Sequence, residues 1–198
     1  SMKSISMKSN LVNQLLNEYG ANLHRMLNIE RPPNISKLCE ALEICMHNRS
    51  QVFICGNGGS AGNANHIAND LIYLDGTDEG GIRAEALTSN QSVMTCLGND
   101  LGYEQIFSKQ LEVKADNDDL LIVLSGSGNS KNVILALEKG TAMGMKTFAI
   151  LGYGGGSCKA LAQYPVHFPV NDMQVAEDLQ MIVAHVCMKY LKNSVDKN

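Results

Sequence analysis

Hydrophobic positions along the chain form two kinds of pattern. Short apolar runs bounded by glycine or polar residues indicate buried strands, and they lie at 51–55, 84–88, 119–125, 147–153 and 166–170. Between them, apolar residues recur every three or four positions, as they do on one face of a helix. This spacing predicts helices at 10–29, 35–48, 60–74, 91–97, 103–114, 130–143, 157–162 and 174–192, with a Gly-Asn-Asp turn at 98–100.

The alternation of strands and helices predicts an α/β fold with a mainly parallel sheet that helices cover on both faces. No linker or low-complexity tract interrupts the pattern, so we expect one domain at 10–198 that includes N-terminal helices at 10–49. Residues 1–9 begin with Ser-Met, as a cloning remnant does, and we expect them to form a disordered N-terminus.

Composition and charge limit which ligands and which cellular compartment we expect for this protein. The net charge is −4 and no broad basic field is present, so nucleic acid is not an expected ligand. No apolar stretch approaches the roughly 20 residues that cross a membrane. The six cysteines form no Cys-x-x-Cys pair and most lie in apolar runs, so we expect reduced core thiols in a cytoplasmic protein.

Three glycine-rich turns follow three predicted strands, at 56–60, 125–130 and 154–157. Ligands of parallel sheets bind beyond the carboxyl ends of the strands, where the next helix offers unpaired N–H groups. Glycine lets the backbone approach a ligand, and serine hydroxyls add donors without adding charge. The first two turns therefore predict a phosphate-ester site, whereas the third is more simply an ordinary turn. Walker A and Gly-x-Gly-x-x-Gly patterns are missing from these turns, so we expect no nucleotide cofactor.

Three ordered motifs carry a resemblance to a known family: CGNGGSAGNANHIANDL at 55–71, LTSNQSVMTCLGNDLGYEQIFSKQL at 87–111 and LIVLSGSGNSKNVILAL at 121–137. They resemble the sugar isomerase (SIS) domain of the phosphoheptose isomerase type, which also includes non-catalytic members, and the likeness spans about 50–192. It implies a five-stranded parallel sheet flanked by helices, a sugar-phosphate ligand and, usually, a homotetramer. The substrate-binding positions that it and the loops indicate are Asn57, Gly58, Gly59, Ser60, Asn99, Asp100, Ser125, Gly126, Ser127 and Ser130.

Candidates for acid, base and metal ligand lie on two predicted helices. His66 and Asp70 are four residues apart, so they share a helix face and can converge on one ion or substrate. The resemblance implies Asp70 as base and His185 as acid. It also implies one zinc ion per subunit at His66, Asp70, Glu177 and His185.

This sequence departs from the family pattern in this region. Asp70 stands where the family has glutamate and is one methylene shorter, and Glu177 stands where it has glutamine and adds a charge. The family's Arg or Lys a few residues after position 70 is missing. Glu177 and His185 lie roughly 12 Å apart along an ideal helix, so both reach one metal only from an irregular helix end or from different subunits.

Two hypotheses stay open at this stage. The first is an aldose–ketose isomerase of sugar phosphates that resembles sedoheptulose 7-phosphate isomerase. The second is a non-catalytic SIS module that binds a phosphosugar or another protein. It stays open because the sequence departs from the family pattern at Asp70 and Glu177.

Overall fold

The computed structural model describes residues 2–29, 34–74 and 80–195. Contacts divide the chain into two compact units, residues 1–32 and 33–198. The first unit contains one helix, α1 (Met2–Leu27), which starts before the predicted position 10. Residues 2–9 belong to this helix in the structure, and no glycine or proline interrupts it there. The division into a disordered N-terminus at 1–9 and one domain at 10–198 stays a prediction.

The second unit alternates strands and helices, as the apolar runs predict. A short 3₁₀ helix, Tyr103–Gln105, precedes its fourth helix. In chain order the unit contains α2 (Ile35–Asn48), β1 (Val52–Gly56), α3 (Gly59–Tyr73), β2 (Ala84–Ala86), α4 (Gln91–Asp100), α5 (Ser108–Lys114), β3 (Leu120–Ser125), α6 (Lys131–Ala142), β4 (Lys146–Leu151), α7 (Gly156–Leu161), β5 (Tyr164–His167) and α8 (Met173–Val195).

The five strands form one parallel sheet in the order β2-β1-β3-β4-β5, which confirms the predicted fold class. Every residue of β1 and β3 is buried. These strands are apolar on both faces because helices cover both sides of the sheet. Phe53 and Phe148 are among the largest side chains that the packing buries completely.

The strand order places two loops side by side. From β1 the chain leads to β2 on one side of the sheet, whereas β3 leads to β4 and β5 on the other. The carboxyl ends of β1 and β3 are level, with Gly56 paired to Leu124. A sheet of this order binds ligands at the crevice where its connections diverge. The loops at 56–60 and 125–130 both open there.

The predicted turn at 98–100 is wrong. Helix α4 begins after Asn90, whose side chain accepts a hydrogen bond from the Val93 N–H, and continues through Asp100. The Leu101 N–H still donates to the Leu97 carbonyl, and the positive φ that ends the segment, +99°, belongs to Gly102. Gly98 is therefore a helical residue, since an isolated glycine weakens a helix without stopping it.

Five of the six cysteines are buried with free thiols, as expected, whereas Cys96 is exposed on α4. Burial raises the pKa of the Cys45 and Cys158 thiols to about 11, so both stay protonated and unreactive at neutral pH. None of the helices among the described residues combines the length and the apolar character that crossing a membrane requires.

Candidate active site

The loops after β1 and β3 line a cavity of about 290 Å³, and α8 closes one side of it with Met173 and Glu177. Eight of the ten predicted substrate-binding residues meet there: Asn57, Gly58, Gly59, Ser60, Ser125, Gly126, Ser127 and Ser130. The other two, Asn99 and Asp100, lie exposed at the end of α4, where the Asn99 amide donates to the Asp100 carboxylate over 2.8 Å. Their role in binding stays a prediction.

Three serine hydroxyl oxygens of this cavity accept hydrogen bonds from within the protein. The Ser125 Oγ accepts from the Gly128 N–H at 2.9 Å, and the Ser127 Oγ accepts from the Asn129 N–H at 3.2 Å. The Ser60 Oγ accepts from a side-chain amide of α8 at 3.1 Å. A hydroxyl whose oxygen already accepts keeps its own proton to donate. Together with the N–H groups at the starts of α3 and α6, this arrangement suits an anion such as phosphate.

Glycine at position 126 has a structural cause. A Cβ at Gly126 would collide with the Met173 sulfur at the start of α8. A residue with a side chain at this position would therefore displace Met173. Gly126 keeps the backbone N–H at the cavity and gives up a side-chain donor.

The side chain of Asn57 is held by two residues that the sequence analysis missed. Asn57 and the buried Asn132 exchange amide hydrogen bonds of 2.8 and 2.9 Å. The Tyr103 hydroxyl donates to the same Asn57 oxygen at 2.8 Å. This leaves one Asn57 N–H for a ligand. A polar residue among the apolar residues of α6 is the feature that could have indicated Asn132.

A cluster of acid and base groups lies further along α3 and α8. The Asp70 Oδ2 lies 3.3 Å from the His66 Nε2 and 3.5 Å from the His185 Nε2. About half of each imidazole is exposed (54% and 52%), whereas the Asp70 side chain is 23% exposed. One ligand atom from each residue lies within 4.8 Å of the others. The shorter side chain of Asp70 thus still reaches both histidines.

Glu177, the fourth predicted metal ligand, lies with the loops and away from the other three. Its carboxylate lies over Gly59, where a Cβ would meet its oxygens at 2.5 and 2.8 Å. Helix α8 is regular from Met173, so Glu177 and His185 stay about 12 Å apart along it. Within one chain the structure brings together His66, Asp70 and His185. A ligand role for Glu177 stays a prediction.

The cluster lines a second cavity, of about 350 Å³, which Lys189 and Lys192 of α8 also line. Leu74 occupies the region where the family carries Arg or Lys, and it is buried. The cationic side chains of this cavity thus come from α8. Their positions four and seven residues after His185, on the same helix face, are the sequence feature that could have indicated them.

Helices α3 and α8 run side by side in the same direction. Gly59 faces Glu177, Ser60 contacts Gln180, and Asp70 meets His185. From Ser60 to His66 the separation along α3 is roughly 9 Å. Among the described residues, the two cavities share no lining residue.

Comparison with known proteins finds relatives that match most of this chain. A family model described as the SIS domain matches residues 16–152. The phosphoheptose isomerase of Helicobacter pylori strain P12 is 37% identical over 153 residues, which cover 77% of this chain and 78% of that protein. The phosphoheptose isomerase of Akkermansia muciniphila is 36% identical over 146 residues, which cover 74% and 77%. A phosphoheptose isomerase structure from Francisella tularensis has a TM-score of 0.87 at 26% identity, covering 93% of this chain and 97% of that one.

Proposed function

Because the chain belongs to the phosphoheptose isomerase family of SIS-domain proteins, we propose that it interconverts a ketose phosphate and an aldose phosphate, with sedoheptulose 7-phosphate as the ketose. The observation that carries this proposal is the Asp70 carboxylate placed between two imidazoles. A nearby cavity with hydroxyl donors supplies the anion site that a sugar phosphate needs.

The reaction moves one proton between neighbouring carbons and another between their oxygens, and it needs a base and an acid. Asp70 removes the proton from C1 of the ketose and returns it to C2. His185 protonates the carbonyl oxygen and accepts the proton of the neighbouring hydroxyl. Lys189 and Lys192, which line the same cavity, favour the negative charge that develops on the substrate oxygens.

Incubation with sedoheptulose 7-phosphate, followed by chromatography of the sugar phosphates, tests the proposal. Formation of a heptose aldose phosphate is the expected result. The alternative, a SIS module that binds without catalysis, predicts that the ketose phosphate is recovered unchanged.

The donor set of the cluster fits a zinc ion. Zinc binds imidazole nitrogen and carboxylate oxygen, and catalytic sites use three protein ligands with one position open. His66, Asp70 and His185 would hold the ion, and their ligand atoms already lie close together. The acid role of His185 given above belongs to the metal-free site, because an imidazole nitrogen that binds zinc carries no proton to donate. When bound, zinc would polarise the substrate carbonyl.

Replacing His66 with alanine should remove zinc retention, because it deletes one of three clustered ligands. Elemental analysis after zinc incubation and buffer exchange measures this. His47→Ala on α2, which changes an exposed histidine, is the matched control and should retain the ion. Equal zinc in wild type and His66→Ala, or none in either, would refute the metal site.

Replacing Ser127 with alanine should weaken phosphate binding about 2- to 10-fold, because a neutral donor contributes about 0.5–1.5 kcal/mol. Calorimetry with a sugar phosphate measures the effect. Ser157→Ala in the third glycine turn is the matched control, and it should bind like the wild type. Unchanged affinity in Ser127→Ala would count against the phosphate site.

We infer that the chain assembles as a homo-oligomer, most simply a tetramer. Leu11, Leu15 and Leu16 of α1 are each more than half exposed, and Val186 of α8 is 46% exposed. Met188 of α8 is buried within its own chain and is not part of this exposed apolar surface. In an oligomer that sets the His66, Asp70 and His185 cluster of one subunit against the loop cavity of another, Glu177 of the second subunit would also join the other predicted ligands. Light scattering at micromolar concentration would show four chain masses, and a monomer would contradict this.

We also propose a cytoplasmic location. The free thiols of all six cysteines agree with a reducing compartment.

A further inference from the structure

Gln180 of α8 is completely buried beside the loop cavity, and the reaction described above does not use it. We infer that Gln180 is a positioning residue: it fixes the direction of the Ser60 hydroxyl so that its proton points to the phosphate of the ligand. This inference rests on the proposed phosphate site, and it adds the residue that decides whether the Ser60 hydroxyl donates to the ligand or accepts from it.

The direction of the hydrogen bonds around Gln180 is set by a backbone carbonyl. The Asn63 Nδ2 donates to the Glu177 carbonyl at 3.0 Å, and a carbonyl can only accept. The same Asn63 Nδ2 donates to the Gln180 Oε1 at 2.8 Å. Gln180 therefore turns its oxygen to Asn63, and its amide nitrogen faces the other way.

The amide nitrogen of Gln180 faces Ser60. The Gln180 Nε2 donates to the Ser60 Oγ at 3.1 Å, so the serine oxygen acts as the acceptor in this contact. The serine proton is then available to the cavity that Ser60 lines. With the amide reversed, Ser60 would donate to Gln180 and turn only lone pairs toward a phosphate, which repels them.

Burial makes this orientation persistent. Gln180 is 0% exposed and Ser60 is 5% exposed, so water does not compete for their hydrogen bonds. The Ser60 N–H also donates to the Asn57 carbonyl at 3.0 Å, which holds the serine at the start of α3. A hydroxyl held in this way is prepared for an anion before the ligand arrives.

A double-mutant cycle on phosphate affinity tests the inference. Dissociation constants for inorganic phosphate, from ³¹P NMR titration, are compared for wild type, Gln180→Met, Ser60→Ala and the double variant. Ser60→Ala and Gln180→Met should each weaken binding about 2- to 10-fold. In the Ser60→Ala background, Gln180→Met should add less than about a twofold change, since coupled residues are not additive.

Two further variants distinguish positioning of the Ser60 hydroxyl from a general structural disturbance. Gln110→Met removes another buried glutamine, whose amide donates to the Leu87 and Ile106 carbonyls, and it should leave phosphate affinity unchanged. In Asn63→Asp the new carboxylate can only accept a hydrogen bond, so the Gln180 amide should turn its nitrogen toward position 63. The loss of phosphate affinity that this variant causes should be several-fold larger when Ser60 is present than in the Ser60→Ala background.

The outcomes separate this inference from the proposed function. Equal weakening by Gln180→Met in both backgrounds would make Gln180 a structural residue and overturn the inference while the phosphate site stands. Wild-type affinity in Ser60→Ala would overturn the assignment of Ser60 and the inference with it. If the Gln180→Met variant does not fold, Asn63→Asp takes its place in the test, because that substitution leaves Gln180 in place.

Discussion

Replacing Asp70 with asparagine should lower the rate of sugar-phosphate isomerisation by about 10²- to 10⁴-fold, the usual contribution of a general base. Asparagine keeps the shape of the side chain but cannot accept the carbon-bound proton. The change also leaves the loop cavity intact, because Asp70 lines the other cavity. Phosphate affinity should therefore change little while kcat falls.

Two variants make the Asp70 result specific. Asp70→Glu restores the family's longer carboxylate, and it should retain a rate within about tenfold of the wild type because the base is kept. Glu138→Gln removes a carboxylate from the exposed face of α6, outside both cavities, and should not change the rate. An Asp70→Asn variant as fast as Glu138→Gln would show that another group is the base.

Replacing Gly128 with alanine should lower the free energy of unfolding by about 2–5 kcal/mol. Gly128 has φ of +69°, a left-handed conformation that costs roughly 1–2 kcal/mol for an L-residue. A Cβ there would also collide with the backbone carbonyl of Gly155, and overpacking of this kind costs about 1–3 kcal/mol. Urea unfolding measures the change.

The same substitution should weaken phosphate binding, because the Gly128 N–H donates to the Ser125 hydroxyl oxygen. Gly80→Ala is the matched control: its φ is +82°, a Cβ there would meet nothing within 4 Å, and Gly80 lines neither cavity. Gly80→Ala should show the cost of positive φ without the collision. If both variants lose the same free energy of unfolding, the contact with Gly155 adds no cost to a side chain at position 128.

The third glycine turn supports the second loop. The Cys158 N–H donates to the Gly128 carbonyl at 3.0 Å, and the Ser157 N–H donates to the Asn129 side chain at 2.9 Å. Gly155 and Gly156 both have positive φ and lie against Gly128. This packing explains the glycines at 155 and 156, and it agrees with the expectation that this turn is structural.

The fold could be predicted because its determinants are local in sequence. Continuous apolar runs such as 119–125 specify buried parallel strands, and the turns between them are marked by glycine and serine. The end of α4 was missed for a local reason as well. Gly98 and Gly102 are equally plausible stops in the sequence, and only the backbone conformation shows that Gly102 ends the segment.

The site could be predicted only in part, because its supporting residues are distant in the chain. Ser60 and Gln180 are 120 residues apart, and Asn57 and Asn132 are 75 apart. No spacing rule connects such pairs, although a glutamine or asparagine on the buried face of a helix indicates that a partner must exist. The separation of Glu177 from His185 followed from helix geometry, whereas its position over Gly59 did not.

If Asp70 moves a carbon-bound proton of a bound sugar phosphate, the reaction in D₂O must leave a mark on the product. NMR of sedoheptulose 7-phosphate incubated with the protein in D₂O measures this. With wild type we expect an aldose phosphate that carries solvent deuterium at the carbon beside the carbonyl, and with Asp70→Asn we expect neither. A wild-type protein that binds the sugar phosphate but yields no aldose phosphate and no deuterium would contradict this role of Asp70 and leave a binding module.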